Sequence, residues 1–478
     1  MNYILTVGLE IHIKLNTVNK MFCQCKNEQN FETLQANTNI CPVCTGQPGT
    51  LPTLSQEVLL KSLLLGKALN CKINKISQFD RKSYFYPDLP MGYQITQLYK
   101  PTNIEGQVNF FMDNYNKEKI IHIIDAHMEC DTGKMIHNGG QALLDFNRSG
   151  TPLVEIVTGP DFEKIDEVIE FLKELQRIVR YNGLADADME KGQMRMDVNV
   201  SVRKNEKDKL GTRVEIKNIN SFGAIKRAIE NEYERQIKIY ENGESFQQET
   251  RGWDDGKGES YPMRSKEDAL DYRYFPEPDL PQLILSEEIL KEIEKTDLEI
   301  PYKLIKKFKE NFGFNKEYIN ALIGDKEILD YFLDFVNQGF DAKLIVKWIA
   351  GPIVAYLKEK IVGINGLKIT KNQFSEFLKI AKEGKIMESQ LKIVMDEMLS
   401  GNKIENIIKE KGFDQKLTNN DEIEKIAKSV LDENAEIVKQ YKGGKLTVMG
   451  FFVGQVMKKT GGKSNPQIIQ EVLKKLLG

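Results

Sequence analysis

The chain has 478 residues, too many for one ordinary core, so two or three domains are expected. Hydrophobic residues at 41% and charged residues at 29% exclude wholesale disorder, and 67 Lys plus Arg against 70 Asp plus Glu exclude a uniformly basic coat, though not a local basic patch. The opening MNYILTVGLEIHIKLN has no basic leader, no run nears the roughly 18 apolar residues of a membrane span, and the sparse cysteines point to a cytosolic, cytoplasmic protein.

In chain order, residues 4–15 alternate as a strand. Leu5, Val7, Leu9, Ile11 and Ile13 share one face, and Thr6, Gly8, Glu10, His12 and Lys14 the other. Ser55 opens a helix over 55–70. Along 120–131, parity sets Ile120, Ile124, Ala126, Met128 and Cys130 against Ile121, Ile123, Asp125, His127, Glu129 and Asp131. Glu155 interrupts an apolar strand near 153–157, and a helix over 161–182 starts at Asp161 and stops at Gly183. In 194–203, Arg195, Asp197, Asn199 and Ser201 oppose an apolar face; in 213–217, Arg213, Glu215 and Lys217 do the same. A third helix runs over 221–241. After Pro301 the pattern turns helical and rich in Lys, Glu, Ile and Leu, with a weaker break near Gly401. The expected class is α+β, with domains at 1–295, 296–405 and 406–478.

One wet face is the ordinary meaning of such alternation in an antiparallel sheet. Here the faces carry Asp, His, Glu, Arg and Asn rather than Thr, Lys and Gln. Glu10 and His12 lie roughly 6.5–7 Å apart at Cα on one face, close enough to ligate one ion. With Glu129 and Glu155 they would make a hard, oxygen-rich site suited to Mg²⁺, with Asp125, His127 and Asp131 behind them. Arg148, Arg195 and Lys217 are candidates for the ATP or substrate side, where cations neutralise phosphate oxygens, and Asp197 is a candidate for the same side as their carboxylate neighbour. The stretch TGGKSNP at 460–466 is no phosphate loop, because Met457 stands where its first glycine belongs and no strand precedes it. Cys23-x-Cys25 and Cys41-x2-Cys44 suit a closed structural Zn²⁺ site; free thiols or a redox pair are the alternatives. The tail pairs a helix carrying Phe451 and Phe452 with a basic turn, Lys458, Lys459 and Lys463. Read alone, that tail is a small helical unit with solvated lysines.

Eight segments together carry a resemblance: VGLEIHIKL at 7–15, CPVCTGQPGTLP at 41–52, DRKSYFYPDLPMGYQITQ at 80–97, HMECDTGK at 127–134, DFNRSGTPLVEIVTGPD at 145–161, GQMRMDVNVSVR at 192–203, EIKNINSF at 215–222 and DYRYFPEPDLP at 271–281. In this order they resemble the B-subunit family of glutamyl-tRNA(Gln)/aspartyl-tRNA(Asn) amidotransferases. The resemblance implies a glutamine-synthetase-like antiparallel cradle with a zinc knuckle, then an all-α domain and a small tail domain that reaches tRNA. It implies ATP- and Mg²⁺-dependent phosphorylation of the side-chain carboxylate of Glu-tRNA(Gln), Asp-tRNA(Asn) or both. Ammonia from an amidase-type A subunit then displaces the phosphate, and a small C subunit completes a heterotrimer. By the same resemblance Glu10, His12, Glu129 and Glu155 match the metal positions, and Cys23, Cys25, Cys41 and Cys44 the zinc position. Lys82, Tyr84 and Tyr86 match the acceptor-end pocket, and Lys458, Lys459 and Lys463 lie in the tRNA-facing tail. Two departures are Cys130, where many relatives carry an acid, and Met91, where relatives often carry a lysine implicated in gating ammonia. The competing readings are an archaeal-type E subunit, for which no inserted domain is present after DYRYFPEPDLP, a non-catalytic tRNA-binding scaffold, and a free small-molecule ligase.

Overall fold

A computed structural model describes residues 3–205, 207–265, 271–384, 386–413, 420–460, 464 and 466–478. The chain divides into two units, Met1–Lys307 and Phe308–Gly478.

The first unit is built on a nine-stranded sheet. Its order is β14 (Glu259–Ser265), β13 (Glu249–Asp254), β12 (Val214–Ile219), β11 (Met194–Arg203), β1 (Ile4–Lys14), β10 (Pro152–Thr158), β7 (Lys117–Cys130), β6 (Asn103–Met112) and β2 (Lys72–Ile73). Every neighbouring pair is antiparallel except β12 with β13. β4 (Asp80–Ser83) pairs with β5 (Tyr93–Thr96) and β15 (Phe275–Pro276); β3 (Ile76–Ser77) pairs with β16 (Leu283–Ile284); β8 (Lys134–Asn138) and β9 (Gln141–Asp145) form a hairpin.

One face of the sheet is apolar and lies under α1 (Gln56–Ala68), α2 (Ile165–Tyr181) and α3 (Phe222–Glu241). Val7, Leu9, Ile11 and Ile13 of β1 are fully buried there with Val154, Ile156, Val198 and Val200, as the parity of those strands predicts. Phe171 of α2 stands edge-on to Phe110 and Phe162. Helix and sheet approach closely at Gly66: a Cβ there would lie 2.0 Å from Asn103 Oδ1. Asn103 is held in turn by donation to Ala126 O at 2.9 Å and Ser62 O at 3.2 Å. Gly66→Ala is therefore expected to destabilise the protein by about 2 kcal/mol through overpacking, read as a lower denaturation midpoint.

Three local expectations need correction. The second helix begins at Ile165, not Asp161. Asp161 is engaged elsewhere, accepting from His122 N at 2.9 Å, and Phe162 bridges to Val7. In the first helix Ser55 holds the N-cap position without a side-chain cap bond. In β7 the core-facing parity switches: Ile121 and Ile123 are buried with Ala126 and Met128, while Ile120 and Ile124 are exposed. The register to β10 slips between Val157 and Thr158, and the opposed strand β6 carries Glu105 at φ 52°. A bulge of this kind turns a strand's faces over without a sequence signature.

The second unit is helical. α4 (Glu287–Lys295) precedes it and α5 (Pro301–Phe312) runs across the division. It continues through α6 (Lys316–Ile323), α7 (Lys326–Asn337), α8 (Ala342–Trp348), a π-turn at Ile349–Ile353 containing Pro352, α9 (Val354–Lys360), α10 (Lys371–Glu383), α11 (Glu388–Leu399) and α12 (Ile404–Lys411). α13 (Asn420–Glu433), α14 (Ala435–Lys442), α15 (Met449–Lys459) and α16 (Pro466–Leu477) follow. The last group has its own core, including Ile423, Val430, Phe452, Val456, Ile469 and Leu473. Phe452 is buried in it and Phe451 is exposed. Lys459 is paired with Glu433 and also reaches Ser429, whereas Lys463 lies outside the described residues.

Candidate functional site

The opposite face of the sheet holds the polar residues. In the ladder His12 lies across from Glu155 of β10 on one side and Arg195 of β11 on the other; Glu10 faces Asp197, and Glu155 faces His127 of β7. Directly opposed residues have Cβ atoms about 5 Å apart, so their side-chain ends meet. His12 Nε2 is 3.4 Å from Glu129 Oε1 and 3.2 Å from Glu155 Oε2. His127 Nε2 is 3.5 Å from the same Glu155 oxygen, and its Nδ1 is 2.7 Å from Asp125 Oδ1.

Burial and close charges set the protonation of this group. Burial, then the neighbouring Glu155 and Asp197 carboxylates, push Glu10 up to about 7. Burial disfavours charge on His12, but hydrogen bonds to Glu129 and Glu155 overcome it and raise the imidazole to about 10. His127 likewise rises to about 10 against its burial, through Asp125 and Glu155. Burial opposes ionisation of Glu155, yet the two imidazoles hold it well below the usual carboxylate range. Two imidazolium rings thus hold the Glu129, Glu155 and Asp125 carboxylates together, the task a cation would perform.

A cationic side faces this acidic one. Lys82 of β4, Arg195 and Lys217 line two adjoining cavities of about 400 and 370 Å³ that share Glu10, Lys82, Glu129 and Lys217 as walls. Lys82 stays charged despite its burial because Glu129 and Glu155 are near, and its Nζ lies 5.1 Å from the centre of the Tyr272 ring. Its strand is held over β7: Gln94 of β5 donates to Cys130 O at 2.8 Å, and Gln97 accepts from Met128 N at 3.0 Å. Arg81 forks onto the buried Glu277 carboxylate at 2.7 and 2.8 Å, tying β4 to the segment after Tyr274. Lys217 contacts Asp197 and lies 3.2 Å from Glu215. It sits at a bulge where the β11–β12 register slips and Asn218 takes φ 64°, a geometry that re-aims a strand side chain.

Not every candidate residue converges. Tyr84 lines the second cavity, 3.4 Å from Gln94 Oε1, but Tyr86 is exposed in the following loop and lines neither. Arg148 lies outside both cavities, donating to Thr132 O and Gly133 O at 3.1 and 2.6 Å. It also approaches Asp131, which accepts from Arg195 at 2.8 Å, so it braces the loop behind the site. The sequence reading missed Tyr272 and Tyr274 as walls of the first cavity. They flank Arg273, whose φ of 43° departs from the extended geometry that would send alternate side chains the same way. The motif DYRYFP was visible, but nothing local says which surface it covers.

The residues fit the two metals considered for them. One ligand atom each from Glu10, His12 and Glu155 fall within 4.8 Å of one another, two oxygens and one nitrogen, a set suited to Mg²⁺. The four thiols of Cys23, Cys25, Cys41 and Cys44 also lie within 4.8 Å of one another, as a tetrahedral Zn²⁺ requires. A hydrogen bond from Cys23 and the charge of Lys20 draw the Cys44 thiol down to about 5, whereas burial lifts Cys25 to about 11. The fully buried Lys20 reaches Cys44 Sγ at 3.7 Å and donates to Asn39 O at 2.9 Å. Met91 and Cys130 line one cavity of about 190 Å³ beside Cys23 and Cys44, and Met91 packs on Gly46. The two departures from the family pattern therefore share one small cavity.

Comparison with known proteins bears on the whole chain. Residues 5–291 match the GatB/GatE catalytic domain, and residues 330–477 match the GatB domain. The chain is 43% identical to the B subunit of the aspartyl/glutamyl-tRNA(Asn/Gln) amidotransferase of Crocosphaera subtropica, over 98% of this chain and 97% of that protein. It is 42% identical to the protein of the same name from Thermotoga maritima, over 100% and 99%. Identity to the B subunit of the chloroplastic/mitochondrial glutamyl-tRNA(Gln) amidotransferase of Ricinus communis is 41%, over 100% of this chain and 87% of the relative.

Proposed function

The chain belongs to the family of aspartyl/glutamyl-tRNA(Asn/Gln) amidotransferase B subunits, components of a glutamine-hydrolysing ligase, and from that premise we propose that its sheet face is the kinase and transamidase centre of the complex. One observation carries the reading: acids and cations converge on the same pair of adjoining cavities, with Glu10 and Glu129 facing Lys82 and Lys217.

The reaction needs such a surface. A carboxylate does not react with ammonia, because its leaving group would be oxide. Phosphorylation divides the step: a side-chain carboxylate oxygen of Glu or Asp on its tRNA attacks the γ-phosphorus of ATP, and ADP departs. Ammonia then attacks the carbonyl carbon of the acyl phosphate and inorganic phosphate leaves, giving Gln-tRNA(Gln) or Asn-tRNA(Asn). In this proposal Glu10, His12, Glu129 and Glu155 hold Mg²⁺, which when bound neutralises triphosphate charge. Lys82, Arg195 and Lys217 orient phosphate oxygens, with Asp197 fixing Lys217. Tyr84 and Tyr272 wall the space for the aminoacyl end.

The first unit acts as a glutamine-synthetase-like cradle, with Zn²⁺ pinning the Cys23–Cys44 knuckle. Ammonia comes from an amidase-type A subunit, and a C subunit completes the heterotrimer. The helices after residue 406 meet the tRNA body through phosphate contacts, with Lys458 a stronger candidate than the ion-paired Lys459. The site of action is the cytoplasm; among the described residues no helix is long and apolar enough to cross a membrane.

The test is ADP formation by the complex with its native partners, using ammonium in place of glutamine. Formation that requires Glu-tRNA(Gln) or Asp-tRNA(Asn) supports the kinase step and identifies the substrate. Turnover indifferent to both charged tRNAs overturns it.

A pH prediction follows from the imidazoles. A metal ion must displace the His12 proton, and Glu10 must be ionised to bind. With these groups at about 10 and about 7, Mg²⁺ affinity should rise with pH between 6 and 9, roughly tenfold per unit for each proton released. Calorimetry in buffers of different ionisation enthalpy measures the released protons, and pH-independent affinity would contradict the ligand assignment.

A further inference from the structure

We propose that Lys20 is the counter-charge of the cysteine quartet, a positioning residue whose ammonium donates to Cys44 Sγ and offsets part of the negative charge of four metal-bound thiolates inside the fold. The proposal rests on the reading of the quartet as a Zn²⁺ site.

Lys20 is fully buried. A buried ammonium is strongly unfavourable unless an opposite charge and hydrogen-bond acceptors meet it. Its Nζ donates to Asn39 O at 2.9 Å and to Cys44 Sγ at 3.7 Å, and among the described residues it makes no ion pair with a carboxylate. The counter-charge therefore has to come from sulfur. Four thiolates around one Zn²⁺ leave two net negative charges, and one buried ammonium offsets one of them.

Cys44 is the sulfur that needs this most. It is buried, whereas Cys23, Cys25 and Cys41 are partly open to solvent, so water does little to solvate charge on it. Two N–H donors converge on it instead, Cys41 N at 3.2 Å and Lys20 Nζ at 3.7 Å. Donors held behind a metal-bound side chain orient it and tune the metal's affinity.

The surrounding backbone fixes the lysine in this place. Lys20 N donates to Cys25 O at 2.9 Å, and Met21 N donates to Gly150 O at 2.9 Å. Asn39, whose carbonyl takes the ammonium, is itself held, its N donating to Asn147 Oδ1 and its Nδ2 to Lys26 O, both at 2.8 Å. Lys20 thus touches the first cysteine pair through its own N–H, the second pair through Nζ, and the connecting loop through Asn39. Gly150 bounds the other side at φ 82°: a Cβ there would lie 3.3 Å from Cys44 Cβ and 3.8 Å from Lys20 Cδ, so the cysteine and the lysine stem fill the space a side chain would take.

The experiment compares Lys20→Met with the unaltered chain in the full-length complex. The readouts are chelator competition for Zn²⁺, the thiolate-to-metal charge-transfer band after Co²⁺ loading, and melting with and without metal. Methionine keeps an unbranched apolar stem and removes the charge. The expected result is a Zn²⁺ affinity lower by roughly 10–100-fold. The charge-transfer band should move to longer wavelength, because a sulfur that accepts one hydrogen bond fewer gives up an electron more readily. In metal-free protein the variant should melt no lower than the unaltered chain, since the ammonium there has lost its counter-charge. A lysine needed only for packing would lower both melting temperatures alike. An unmoved band, an unchanged affinity, or an equal melting loss with and without metal overturns the proposal while leaving the Zn²⁺ reading intact. A quartet that takes up neither Zn²⁺ nor Co²⁺ overturns both.

Discussion

Glu155→Gln should lower charged-tRNA-dependent ADP formation by roughly 10²–10³-fold while leaving tRNA binding nearly unchanged. Glu155 is chosen over its neighbours because its carboxylate meets both imidazoles and stands on a strand bordered on both sides by strands of the site. The amide keeps the shape and can still accept one hydrogen bond, so loss of activity reports loss of charge rather than of packing. Glu10→Ala should also abolish ATP turnover, since Glu10 lines both cavities. Activity equal to the unaltered chain in either variant would sink the metal assignment.

The same substitution has a stability signature in chelator-treated protein. His12 and His127, raised to about 10, contribute stability that is fully present below the ordinary imidazole value near 6.5 and is lost as pH rises through 10. Glu155, depressed in the fold, contributes above the ordinary carboxylate value near 4.5 and loses that contribution as pH falls. The ion cluster is therefore worth most between about pH 5 and 6.5. The melting difference between Glu155→Gln and the unaltered chain should be widest there and shrink toward pH 10. A difference that grows with pH would mean the imidazoles are neutral and the cluster is held some other way.

The acidic half of this site could be read from residues because β1, β10 and β11 keep strict alternation where they meet. Parity alone sets Glu10 with His12 and Arg195 with Asp197, and the ladder then brings the pairs together. Parity failed on β7, where the bulge beside Glu105 and Ile124 exchanged the faces and sent Ile121 and Ile123 into the core. Past that bulge, the residues from Asp125 onward keep the expected face. The cationic half was harder to read for a different reason. Lys217 owes its direction to a bulge at Asn218, and Lys82 shares its cavities with Glu129 only because β5 lies across β7 through Gln94 and Gln97. Tyr272 closes the cavity from nearly two hundred positions beyond Lys82, a contact no local pattern encodes. His127 was legible as a neighbour of these acids, and the structure pairs it with Asp125 in a buried ion pair that no local pattern announces. Asp161 shows the converse: a good capping residue in sequence that the fold uses to hold His122.

Replacing Cys41 with serine, or removing zinc with a chelator, should lower the melting temperature by roughly 5 °C or more and open the knuckle to protease. From Cys23 to Pro52 the only regular element is a short 3-10 turn, Phe31–Thr33, with no buried residue, so little apolar burial holds this segment. Its fixed points are polar. Ser149 Oγ donates to Cys44 O at 2.8 Å, Asn39 N donates to Asn147 Oδ1 at 2.8 Å, and Asn37 Nδ2 donates to Leu144 O at 2.9 Å. A metal that joins Cys23 and Cys25 to Cys41 and Cys44 closes the loop between them and supplies the missing cohesion. The disturbance should travel: Gly150 packs against Cys44, Gly150 N donates to Asp131 O at 3.0 Å, and the Asp131 carboxylate holds Arg195 at the edge of the second cavity. Loss of zinc should therefore raise the apparent KM for the phosphorylated substrate more than it lowers kcat, because Arg195 is displaced while Glu10, His12 and Glu155 stay in their ladder. Zinc content near one per chain, lost in Cys41→Ser together with the melting shift, is the expected outcome. An unaltered chain that carries no zinc, with a Cys41→Ser variant that melts at the same temperature, would make the quartet four free thiols and leave the knuckle to its hydrogen bonds.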